Sequence, residues 1–181
     1  MDKTVLTLGI LIVILVGILA VMQFPQLNLF GGNAFEDLKG VDVNNFALYR
    51  DDSGFEIAYP ITFHSERVLE GEKPVGVLFT SATVQMAQVL QVVLSNETAS
   101  SIKNSVLSEL TAAERKTVVE GNAFGSQVME FEKQTDSGTF TLRYSFFACN
   151  GKTAVFSVLT LPAEKSFLKA ANYMASTFKC S

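Results

Sequence analysis

Few residues in this chain could do chemistry. Its 181 residues include one histidine and two cysteines. His64, with Glu66 two positions on, could act as a general base or a metal ligand. A lone histidine in a polar stretch after Pro60 reads more simply as a solvated side chain. A Ser–His–acid triad would have to use the same residue, yet no G-x-S-x-G turn is present, and Gly125-Ser126 lacks that context. The same counts exclude a multi-ligand zinc site and a four-cysteine cluster. Asp51 and Asp52, with Glu56, could hold calcium, but the spacing lacks the alternating oxygen ligands and glycine of a calcium loop, so a solvated turn is expected. There is no phosphate loop, no glycine-rich nucleotide fingerprint and no basic–aromatic stripe. No catalytic, cofactor-binding or metal-binding residue is assigned, and the chain is read as a non-enzyme.

Cys149 and Cys180 carry the remaining chemistry. Outside the cytoplasm they could pair. The strand from Lys152 leads away from Cys149, and a helix returning along it would end near the Asn150-Gly151 turn. Closing that loop of about thirty residues would stabilise the fold by roughly 3–4 kcal/mol on chain entropy. Against this, strict alternation puts Cys149 on the face of Thr141, Arg143 and Ser145, expected to lie away from the closing helix. A disulfide and two free thiols therefore both stay open. Asn96-Glu97-Thr98 is a glycosylation sequon between a strand and a helix, although an Asn satisfying local backbone groups has the same appearance. Glu130-Phe131-Glu132 and the run Gln85, Gln88, Gln91 could mark a partner surface, but alternating charge on a sheet face is ordinary.

The elements that must position these groups follow from period-2 and period-3.6 patterns. Strands are expected at 46–50, 55–59, 75–79, 84–94, 117–120, 126–133, 139–148 and 152–161. The turns between them are set by Asp51-Asp52-Ser53-Gly54, Asp136-Ser137-Gly138 and Asn150-Gly151. Helices are expected at 99–113, capped by Thr98, and from Pro162 to about Phe178. The fold class is therefore α+β: an antiparallel sheet flanked by helices.

Ahead of this domain, no charged residue occurs from Thr4 to Phe35. Val5 to Met22 is long enough, as a helix, to span about 30 Å of hydrocarbon. Residues 1–24 are read as one transmembrane helix, 25–45 as a linker rich in Gly and Asn, and 46–181 as an extracytoplasmic domain. Lys3 and the amino terminus place the N-terminus in the cytoplasm by the positive-inside rule. The expected partners are the membrane, through residues 4–24, and an unidentified protein of the envelope. A net charge of −4 without a basic stripe argues against nucleic acid.

Several local phrases resemble the PsbP-like family. Its "tyrosine, acidic turn, Gly-Phe, apolar, Tyr-Pro" phrase stands here as Tyr49-Arg50-Asp51-Asp52-Ser53-Gly54-Phe55-Glu56-Ile57-Ala58-Tyr59-Pro60. Val77-Leu78-Phe79 matches a later strand. Ala175-Ser176-Thr177-Phe178-Lys179 matches the closing helix phrase with one residue inserted. Where the family often has Trp after the proline, this chain has Phe63. The resemblance spans about Phe46 to Lys179 and implies an α/β/α sandwich on the outer side of a membrane, in a family that is mostly non-enzymatic. Its best-known members are extrinsic subunits assisting photosystem assembly, and no photosystem-contacting or metal-binding residue maps onto this chain. The leading expectation is thus a non-catalytic, membrane-anchored binding or assembly module. The alternatives are a small-molecule or lipid carrier, with a pocket between sheet and helix lined by Phe140, Tyr144, Phe156 and Phe167, and an exported hydrolase built on His64.

Overall fold

The computed structural model of the chain describes residues 37–81, 89–135, 138–162 and 164–180. A 3₁₀ turn at Val43–Asn45 precedes β1 (Phe46–Asp51), β2 (Phe55–Pro60), β3 (Phe63–Glu70), β4 (Lys73–Ser81) and β5 (Val89–Ser95). Helices α1 (Ala99–Glu109) and α2 (Ala112–Arg115) follow, then β6 (Val119–Ala123), β7 (Ser126–Thr135), β8 (Gly138–Cys149) and β9 (Lys152–Thr160). The chain closes with α3 (Lys165–Thr177) and the two-residue β10 (Lys179–Cys180). The strands form two antiparallel sheets, a small one ordered β1-β2-β10 and a large one ordered β3-β4-β5-β9-β8-β7-β6.

Strand β8 shows why the layers stack as they do. Side chains of successive strand residues point to opposite faces, and here both faces are covered. Phe140, Leu142, Tyr144 and Phe146 join Ile102, Val106 and Leu110 in a core under α1. Phe147 and Cys149 join Phe156, Phe167, Ala171 and Met174 beneath α3, together with Phe55 and Ile57 of the small sheet. The large sheet is thus sandwiched between α1 on one side and α3 with the small sheet on the other. Close strand approach is enforced at Gly76, which lies against β5 so tightly that an added Cβ would sit 2.0 Å from the Val92 carbonyl oxygen.

The expected α+β class, with one antiparallel sheet flanked by helices behind a transmembrane helix, is corrected. Among the described residues the protein is mostly β, with two sheets and three helices. The expectation merged Phe46–Pro60 with the main sheet, but β1 and β2 pair only with each other and with β10. It also missed β3, because a polar run beginning at His64 looks like loop when no residue of the strand is fully buried. No helix among the described residues is long and apolar enough to cross a membrane. The expected span, residues 5–22, lies outside the described residues, as do residues 84–88 of the expected 84–94 strand.

Candidate functional site

At one end of the large sheet three connections converge: Ser95–Thr98 leading into α1, the Phe124-Gly125 turn of the β6–β7 hairpin, and the Asn150-Gly151 turn of the β8–β9 hairpin. Asn150 and Gly151 have φ of 50° and 78°, the left-handed pair that a two-residue hairpin turn needs. Phe124 and Gly125 take nearly the same values, 51° and 77°. A phenylalanine is strained there, and its ring is held by packing into the core under α3.

Between these connections lies a groove of about 600 Å³. It is lined by Phe146, Phe147 and Ala148 of β8, of which only Ala148 is exposed, and by Asn96, Thr98, Asn122, Gln127 and Thr153. The charges on its rim are Glu97 and Lys152. Glu97 accepts a hydrogen bond from the Ser101 hydroxyl at 2.8 Å. Thr98 caps α1 by accepting from the Ser101 amide at 3.2 Å. The amide-bearing side chains Asn96, Asn122 and Gln127 are exposed. A lining of amides and hydroxyls with one charge of each sign suits recognition of an uncharged surface by hydrogen bonds; no nucleophile–base pair lies among its lining residues.

Beneath α3, by contrast, there is room for little. A cavity of about 10 Å³ lined by Phe124, Val128, Arg143, Phe156 and Asn172 is the size of one water molecule. The pocket expected from Phe140, Tyr144, Phe156 and Phe167 does not form: the first two lie under α1 and the last two under α3, each at most 4% exposed. Burial, with the Glu109 carboxylate adding to it, pushes the Tyr144 phenol far above its ordinary range.

The cavity borders a buried polar cluster that sequence reasoning passed over. Arg143, 4% exposed, directs Nε and Nη2 to Glu130 Oε2, each at 2.6 Å, and Nη1 to Asn172 Oδ1 at 2.6 Å. Asn172 Nδ2 in turn donates to the Asp37 carbonyl at 3.2 Å. A charged residue between Leu142 and Tyr144 in a strand covered on both faces was the available signal. Glu130-Phe131-Glu132, weighed above as a partner surface against an ordinary sheet face, is packed: Glu130 is engaged by Arg143, and Phe131 is buried under α1. Gln91 is 4% exposed, while Gln85 and Gln88 lie outside the described residues.

His64 is not in a loop but on β3, an outer strand, opposite Thr80. Both His64 and Glu66 are exposed. No group of three or more potential metal-binding side chains occurs among the described residues. The acidic turn is internally satisfied: Asp51 accepts from the Tyr49 hydroxyl at 3.0 Å and the Ser53 amide at 2.8 Å, Asp52 pairs with Arg67 at 2.8 Å, and Glu56 pairs with Arg50 at 3.3 Å. The Tyr49 phenol is raised, by burial first and then by the Asp51 carboxylate.

Cys149 and Cys180 form a disulfide, with Cα atoms 5.5 Å apart. The face of Thr141, Arg143 and Ser145, which seemed to direct Cys149 away from the closing helix, is the face α3 covers. Pairing of Cys180 in β10 with Phe55 of β2 brings the second cysteine across to it.

No family model and no curated protein matches this chain. Among solved structures it is similar to the solution structure of cyanobacterial PsbP (CyanoP) from Synechocystis sp. PCC 6803. The likeness has a TM-score of 0.51 at 19% identity and covers 78% of this chain and 96% of that one. The fold is therefore PsbP-like.

Proposed function

We propose that this chain is a PsbP-type binding and assembly module without catalysis, tethered to a membrane and engaging a protein partner of the envelope. The observation that carries the binding reading is the open groove of about 600 Å³ at one end of the large sheet. A carrier needs an interior volume, and the cavity bordering Arg143 under α3 is water-sized. The likeness to CyanoP supports the module type. The uncharged run from Thr4 to Phe35 supports attachment through residues 4–24. Lys3 supports a cytoplasmic N-terminus with the domain on the outer side, where a disulfide persists. Asn96, exposed on the groove rim, is the proposed glycan acceptor in a host that glycosylates exported proteins.

The test is photocrosslinking from residue 127, exposed in the groove, using the full chain in its native membranes. One partner should dominate, and Ala148→Arg, at an exposed position, should lower its recovery roughly tenfold or more with the melting temperature unchanged. Recovery of no discrete partner, or of one indifferent to the substitution, rejects the groove as the binding surface.

A further inference from the structure

Among the described residues five large apolar side chains are about half exposed or more: Val43, Leu48, Ile61, Leu69 and Val119. Three of the five fall between residues 43 and 61, in the 3₁₀ turn and the β1–β2 hairpin. Val43 and Ile61 share one end of that hairpin, since the Ile61 amide donates to the Asn45 carbonyl at 3.0 Å. We infer that this end of the domain lies on the lipid surface, with Val43 and Ile61 entering the bilayer interface. This rests on the membrane attachment proposed above.

Chain length argues for that occupant. Fourteen residues, 23 to 36, separate the apolar run from Asp37, and a coil of that length averages about 20 Å end to end. A folded domain of this size has a diameter well above that, its radius of gyration alone being about 14 Å. Asp37 is pinned to α3 by its ion pair with Lys169 at 3.1 Å, and the Lys169 ammonium also donates to the Lys39 carbonyl at 3.0 Å. The tether therefore leaves the domain six residues before Val43, which directs this end toward the bilayer. Tethering also sets a high effective concentration, so a weak apolar contact is populated.

The turn is chemically suited to an interface. Its carboxylate is engaged within the turn: Asp42 accepts from the Asn44 amide and side chain, each at 3.0 Å, and from the Asn45 side chain at 3.2 Å. Approach to lipid then leaves fewer groups bare. Lys39 and Lys169 balance Asp37 and Asp42, so the contact is apolar and indifferent to lipid charge.

The chain contains no tryptophan, which permits single reporters. Val43→Trp, Ile61→Trp and, as control, Val119→Trp are placed in the full chain and reconstituted in phosphatidylcholine vesicles with and without brominated acyl chains. Brominated lipid should quench the first two reporters roughly twofold or more and leave the third unchanged, equally in phosphatidylglycerol-containing vesicles and at high salt. Hydrogen exchange of the unsubstituted chain, slowed at 41–48 and 61 on vesicles, reads the same contact without a substitution. Flotation with vesicles but no quenching or protection overturns the contact while leaving attachment standing, and failure to float removes both. Quenching that requires anionic lipid replaces the apolar contact with an electrostatic one and overturns it. So does concentration-dependent shielding from aqueous iodide without lipid quenching, which would mean that a second copy covers the end.

Discussion

Under α3, the Arg143 guanidinium is matched by Glu130 and oriented by Asn172, which also holds the Asp37 carbonyl. Such a buried pair contributes little net stability when intact, but removing one partner strands the other. Arg143→Met is expected to cost about 3–5 kcal/mol, seen as a lower denaturant midpoint, and Arg143→Met with Glu130→Met should recover part of the loss. An unchanged midpoint in the single variant would mean that Glu130 reaches solvent. At this scale the sequence was legible in type and not in surroundings. Alternation correctly separates Arg143 and Cys149 from Phe140 and Tyr144. It does not say what covers each face, so the partners of Arg143 were not seen and a carrier pocket drew its lining from both sides of one sheet. His64 went the same way: its polarity was plain, its place on an outer strand was not.

Helix α2 exists because Thr111 restarts the chain after Leu110. The Thr111 hydroxyl accepts from the Glu114 amide at 3.3 Å, and Glu114 Oε2 accepts from the Thr111 amide at 2.8 Å. Burial alone would raise the Glu114 carboxyl, but these bonds from Thr111, with Lys133 nearby, hold it below its ordinary range. A carboxylate depressed in the folded state contributes stability above its unfolded value and loses it as the pH falls toward the native one. Glu114→Gln should therefore cost about 1 kcal/mol at neutral pH and flatten the stability profile below the usual glutamate range; a profile that keeps its slope points to another carboxylate. This box was readable as Thr-x-x-Glu, yet apolar spacing carried the expected helix through to Ala113. Strand β3 was less readable, because an outer strand blunts pairing with polar side chains such as Glu66 and Arg67, and those erase the pattern by which a strand is found.

At the scale of the whole molecule, Cys149–Cys180 ties β8 to the small sheet across 31 residues. Cys180→Ser should lower stability by roughly 3–4 kcal/mol on the chain-entropy account, and reduction of the native protein should give the same melting shift. A shift near zero would show β10 docked without help. The order of strands along the chain was largely legible; their division into two sheets was not, since it depends on the closing residues returning to β2. That return has a consequence for how the protein is made. The Ala58 amide takes the Thr177 hydroxyl as its acceptor across a separation of 119 residues, and Phe55 pairs with Cys180. A nascent chain that has already emerged through its first hairpin must keep Phe55 and Ile57 uncovered until nearly all of its synthesis is done, so a stalled or truncated product would display the greasy surface that chaperones and proteases select.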